Sequence, residues 1–131
     1  KLKSILKEKF EMELTLKFDV TDEMIDSILV TAFEGGINYW CNGIKVVDDD
    51  YKGADYGSHV ISKDGEIDLI VDDMVVDNKI EESSYRLTKE KLHKGCQQYA
   101  DHKKQFEYEN FDADDADMIV QYAIFDNIIY G

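Results

Sequence analysis

The chain has 131 residues, 44% of them hydrophobic and 11% aromatic, with 29 acidic residues against 15 basic and a formal net charge of −14. That length and apolar content suit one folded domain with a real core and argue against a disordered chain. The charge argues against direct binding to DNA or RNA, which needs clustered Lys and Arg, and against anionic membranes; no apolar run approaches the ~18 residues of a membrane span.

Residues 1–9, KLKSILKEK, carry four lysines and one glutamate and differ in charge from everything downstream. They read as a basic arm or short helix ahead of a single globular domain over 10–131. "FEMELTLKFDV" (10–20) alternates apolar and polar residues with a period of two, as a half-buried strand does. Thr21 then caps a helix, with Asp22 and Glu23 in its first turn. Met24, Ile25, Ile28, Leu29, Ala32 and Phe33 form one apolar stripe, and Gly35 or Gly36 is placed to end the helix as a left-handed cap.

"INYWC" and "IKVV" are strand-like, and Asn42-Gly43 between them is a strong hairpin signal. A single strand with a bulge at the glycine is the alternative. Residues 48–57 read as loop, "SHVIS" (58–62) as an ambiguous short segment, and Asp64-Gly65 as a turn. "EIDLIVDD" (66–73) is a strand, "MVVDNKIEES" a loop or irregular hairpin, and "SYRL" (84–87) a short strand.

Thr88 caps a second helix, with Leu87 and Leu92 at the positions of a hydrophobic staple. Its inner stripe is Leu92, Cys96, Tyr99 and Ala100, and Lys103 and Lys104 complement the dipole in its last turn. The acidic stretch 107–117 leads into a third helix capped by Asp112 or Asp114. "ADMIVQYAIF" (116–125) is apolar nearly all round, so this helix is expected to be buried. The tail "NIIYG" is expected to pack or pair. The order predicts an α+β fold: a small antiparallel sheet of four to five strands, with three helices packed mainly on one face.

Signatures of chemistry are sparse. There is no GxxxxGK[ST] and no GxGxxG. A calcium loop begun at Asp112 lacks the turn glycine and the closing glutamate, and one begun at Asp48 ends on His59. His59, His93 and His102 are spread out, and His93 with Cys96 makes only two ligands, so neither a metal nor another cofactor is expected. Cys41 and Cys96 form no CxxC, and two buried thiols in a reducing cytosol are favoured over a disulfide. A catalytic reading has only Ser58-His59 or Cys41, with Asp72 as a potential neighbour, and no G-x-S-x-G elbow.

Two groups of residues stand out. Glu34 puts a negative charge in the last turn of a helix, against the dipole. With Gly35, Gly36, Tyr39, Trp40 (the only tryptophan), His59 and Gln121 it forms the candidate ligand- or partner-binding set. One of the adjacent Tyr39 and Trp40 is expected in the core and the other at the surface. Asp48, Asp49, Asp50, Asp112, Asp114, Asp115 and Asp117 form the candidate acidic partner surface, although those from 112 onward also suit a helix N-terminus.

The segments "VTAFEGGINYWC" (30–41), "SHVISKDGEIDLIVDD" (58–73), "YRLTKEKLHKGCQQY" (85–99) and "DADDADMIVQYAIFDNIIYG" (112–131) resemble a family of small uncharacterised bacteriophage and prophage proteins, over most of the chain from about residue 10. "EGGINYW" and "ADMIVQYAIF" are its most specific parts. In that family the KDG position is often a double glycine and the FDN near the end often Phe-Gly-Glu, from which Asp64 and Asp126 depart. The resemblance implies a phage accessory protein in the bacterial cytoplasm and attaches no activity to it. By analogy of class, the leading expectation is a non-enzymatic protein that binds a basic host protein, such as an anti-CRISPR or anti-restriction inhibitor that mimics nucleic acid. The alternative is a small-molecule or nucleotide binder built on Glu34 to Trp40, and the third reading is a hydrolase. A homodimer is a further option.

Overall fold

The computed structural model describes residues 19–103 and 108–131. The basic arm and the strand expected over 10–20 therefore lie outside the described residues, apart from Asp19 and Val20. The elements in chain order are helix α1 (Asp22–Thr31), strands β1 (Cys41–Val46), β2 (Ile67–Val76) and β3 (Lys79–Leu87), helix α2 (Lys89–Lys103) and helix α3 (Ala113–Phe125). The three strands form one antiparallel sheet in the order β1-β2-β3. The α+β class stands, with three strands among the described residues against the four to five expected.

Local chemistry sets most of the helix ends. The Thr21 hydroxyl accepts from the Met24 amide at 3.2 Å, and the Thr88 hydroxyl accepts from the Lys91 amide at 3.2 Å. Of the two caps considered for α3, Asp112 is used. It forms a reciprocal capping box with Asp115, each carboxylate taking the other residue's amide at 3.0 Å. Leu87 and Leu92 are both fully buried at the entry to α2, as a staple requires.

The double glycine does not end α1 with a left-handed cap. The helix loosens into a π-turn over Ala32–Gly36, and Gly35 has an extended φ of 179°. Gly36 serves a different purpose: a Cβ there would sit 2.8 Å from the backbone oxygen of Ala113. The start of α3 packs directly on the end of α1, and only a glycine leaves room. Nothing lies within 4 Å of the Cβ position at Gly35, and no contact explains that residue.

Asn42-Gly43 is not a hairpin turn either. It lies within β1, where the register against β2 shifts between Cys41 and Gly43, so the bulge is what forms. A tight hairpin of the favoured type needs two successive residues with positive φ. Those are found at Asp77 (51°) and Asn78 (64°), which join β2 to β3. Of the two readings of this segment, loop or irregular hairpin, the hairpin forms, with one register shift between Asp72 and Met74. Asp64 and Asp126 are both left-handed, with φ of 65° and 61°. Aspartate is among the few residues that tolerate this region.

The core draws on every element. Ile25, Ile28 and Leu29 come from α1, Ile67, Leu69 and Val71 from β2, Leu92 and Cys96 from α2, and Ile119 and Val120 from α3. Burying each of these large side chains contributes about 1.5–3 kcal/mol. Alternation along β2, with Ile67, Leu69 and Val71 buried, gives the sheet one covered face. Cys41 and Cys96 are both buried free thiols. Among the described residues no helix is long and apolar enough to cross a membrane.

Candidate functional site

The segment from Gly36 to Trp40 meets α3 at Asp117. Residues 37–40 form a turn, not a strand, so adjacent side chains are not forced to opposite faces. The Tyr39 hydroxyl donates to Asp117 Oδ2 at 2.5 Å, and Trp40 Nε1 donates to Oδ1 at 2.7 Å. Gln121 Nε2, one turn along the helix, donates to the same Oδ1 at 2.9 Å. One carboxylate with 7% exposure therefore holds three donors.

Gln121 extends the network to the tail. Its Oε1 accepts from the amides of Ile129 (2.8 Å) and Tyr130 (2.9 Å), and its Nε2 donates to the Tyr130 carbonyl at 3.1 Å. A single side chain thus stands in for a strand partner, which is how the tail packs without joining the sheet. The Tyr130 ring stacks on Trp40 at 5.4 Å and 2° between planes. Phe125 lies against both rings, and Tyr85 meets Phe125 edge-on at 4.8 Å.

Trp40 is the buried aromatic (6% exposed) and Tyr39 the exposed one (59%). Tyr39 keeps its ring open to solvent while its hydroxyl turns inward. A Cβ at Gly131 would lie 2.7 Å from that hydroxyl, which shows how closely the tail is drawn against it. Trp40, Asp117 and Gln121 spend their side-chain polar atoms on one another, on Tyr39 and on the tail.

The remaining residues of the candidate set do not converge. Glu34 and Gly35 are exposed on the π-turn, and Gly36 is buried under α3. His59 lies on a short 3-10 turn (Gly57–His59). Its Nδ1 is 3.0 Å from Ser58 Oγ and its Nε2 is 4.0 Å from Asp26 Oδ2. Asp26, on α1, takes the place foreseen for Asp72, which sits exposed on β2 opposite Glu82. The imidazole–carboxylate separation is too long for a hydrogen bond that would orient a base. Cys41 donates to the Gly43 carbonyl at 3.2 Å, and burial raises its thiol above the ordinary value, which disfavours the thiolate.

Of the acidic surface, Asp48, Asp49 and Asp114 are exposed and form no ion pair among the described residues. Asp50 pairs with Lys52 at 2.9 Å, which lowers its pKa. Asp112 and Asp115 cap α3, and Asp115 also accepts the Tyr99 hydroxyl at 2.5 Å. Asp117 leaves this surface altogether, because the Tyr39–Trp40 turn covers it. The sequence did hold a signal for this: Asp117 and Gln121 are the only polar residues between Ala116 and Tyr122, four apart in an otherwise apolar stretch of the helix.

An open groove of about 450 Å³ lies beside this turn, lined by Phe33, Ile37 and Ile44 with Asn38, Asn42 and the Cys41 edge. None of the candidate binding residues lines it, and among the described residues its walls carry no charged side chain.

Protonation ties the network to pH. Burial, and then the bond to Asp117, pushes Tyr39 up to about 12 from 10.0. Burial pushes the Cys96 thiol up to about 12 from 9.0, and burial and Asp115 raise Tyr99. The folded chain keeps these protons where the unfolded chain loses them. The associated stability is therefore full below about pH 9 and is lost as pH rises toward 12. The urea midpoint should hold steady from pH 7 to 9 and fall by pH 11, with a slightly shallower fall in Tyr39→Phe. A midpoint unchanged at pH 11 would contradict this.

No protein-family model matches the chain, and neither a curated protein nor a solved structure is similar to it.

Proposed function

We propose that the chain is a non-enzymatic, acidic accessory protein of a bacteriophage that binds a host protein with a basic surface in the bacterial cytoplasm. The partner class we assign is a defence nuclease of CRISPR or restriction type, with carboxylates standing in for backbone phosphates. The observation that carries this reading is the set of exposed carboxylates, Asp48 and Asp49 on the β1–β2 connection and Asp114 on α3, that no cation among the described residues neutralises. Like charge left unpaired in this way is tolerated in water and becomes favourable against a basic groove. Tyr39, Trp40 and Gln121 of the candidate ligand set are held in the Asp117 network, which supports the interaction reading over a chemical one.

The test titrates the protein against a panel of purified defence nucleases at increasing salt. Affinity should fall steeply with salt, and Asp48→Asn/Asp49→Asn/Asp114→Asn should weaken it about tenfold, roughly 1.4 kcal/mol. Affinity that stays constant across a tenfold salt range excludes mimicry.

A second reading, small-molecule binding, has the groove beside Ile37 in its favour. With no cation among the described residues of its walls the groove suits a neutral ligand over a nucleotide, and a thermal-shift screen with both classes decides it.

A further inference from the structure

β2 and β3 run on past the end of β1. The last β1–β2 pair is Cys41 with Val71. Beyond it, β2 from Asp72 to Val76 and β3 from Lys79 to Glu82 pair only with each other among the described residues. Every residue from Asp72 to Glu82 is exposed. Within this ribbon Val75 and Ile80 are direct cross-strand partners, 71% and 72% exposed, and Met74 and Val76 are also exposed.

A solvated two-stranded ribbon is marginal by itself, and exposed β-branched pairs on it are an aggregation hazard unless something covers them. This ribbon is anchored. The register shifts between Asp72 and Met74, and the Asp73 carboxylate turns back to accept the hydroxyls of Ser83 and Tyr85. Tyr85 in turn packs on Phe125 beside the Trp40–Tyr130 stack. The apolar pair is therefore held out from the domain in a fixed place.

Charge selects what covers it. From Asp72 to Glu82 there are five carboxylates and one lysine, a net charge of −4. Asp72, Asp77, Glu81 and Glu82 form no ion pair among the described residues. A second copy of the chain would set two such ribbons against each other, and their like charges oppose it.

We infer that the ribbon from Asp72 to Glu82 is the element that enters the partner. Val75 and Ile80 seat in an apolar recess of a basic protein, and Asp72, Asp77, Glu81 and Glu82 meet Lys and Arg at its rim. This rests on the acidic-interaction reading and adds the contact element to it. The combination of a central apolar anchor and a charged rim is the usual anatomy of an interface.

The test places the photo-crosslinker p-benzoylphenylalanine at position 75 of the full chain, and at the exposed loop position 55 as control, in bacterial cells. One basic protein should cross-link through position 75 and not through 55. Its attached peptide should be apolar and flanked by Lys or Arg. Purified, that protein should bind Val75→Ser/Ile80→Ser about 30-fold more weakly and Glu81→Gln/Glu82→Gln about tenfold more weakly. No cross-link at 75, a cross-link to a second copy, or an acidic partner overturns the inference. If Asp48→Asn/Asp49→Asn/Asp114→Asn weakens binding but Val75→Ser/Ile80→Ser does not, the ribbon fails and the acidic reading stands. If binding through the ribbon is indifferent to salt, the acidic reading fails instead.

Discussion

Asp117→Ala should destabilise the protein by about 3–5 kcal/mol and lower its Tm by about 10 °C or more. Three donors lose their acceptor at once, but they do not contribute equally. Tyr39 is 59% exposed and its hydroxyl turns to water at little cost. Trp40 and Gln121 are 6% and 0% exposed, and Nε1 of Trp40 has no other partner among the described residues. A buried donor stranded in this way costs about 1–3 kcal/mol, and loss of a charge-assisted bond sits at the upper end. Gln121 is then free to rotate, which loosens its grip on the Ile129 and Tyr130 amides.

The readout is built into the chain, because Trp40 is its only tryptophan. Its emission should shift to the red in Asp117→Ala under native conditions, as Tyr130 leaves the stack. Asp117→Asn keeps one acceptor oxygen and should lose about half as much stability. An Asp117→Ala variant within 1 kcal/mol of the parent, with unchanged emission, would show that the tail does not depend on this carboxylate.

Gly95→Ala is the second large effect, and here two terms oppose each other. Gly95 lies inside α2, where alanine is favoured by about 1 kcal/mol. A Cβ at that position would fall 2.5 Å from the Ile119 backbone oxygen and 3.0 Å from the Ala123 Cβ. The obstacle is the backbone of α3, not a side chain that could swing away. Overpacking of this kind costs about 1–3 kcal/mol even where neighbours adjust, and a helix backbone adjusts least. Against a helix backbone the steric term lies at the upper end of its range and wins, and the urea midpoint should fall by the equivalent of about 1–2 kcal/mol net. A rise in stability would mean that α2 and α3 slide apart without loss.

The contrast between the two glycine sites and the Asp117 network shows what local sequence can carry. The helix starts were legible because their determinants lie within one turn: Thr21, Thr88 and Asp112 each bond an amide three residues on. The buried stripe of α2 was legible from its spacing alone, and Leu92, Cys96, Tyr99 and Ala100 are all buried. The net charge of −14 needed no structure.

Turn choice was decided higher up. Asn42-Gly43 has the stronger local propensity, yet Asp77-Asn78 makes the hairpin, because β1 must continue along β2 to cover the core. Propensity differences of this kind are small against the burial of Cys41 and Val46 at the two ends of one strand. Gly36 and Gly95 look alike in sequence to any helix-terminating or helix-weakening glycine. Only the approach of α3 to both gives them a reason. Asp117 was counted with the surface aspartates because its partners, Tyr39 and Trp40, lie 78 and 77 residues away. The sequence by itself determined the class of fold, the helix starts and the net charge. The tertiary structure alone decided which polar residues are spent inside the fold and which apolar ones, Val75 and Ile80, are left outside it, since both depend on contacts between segments far apart along the chain.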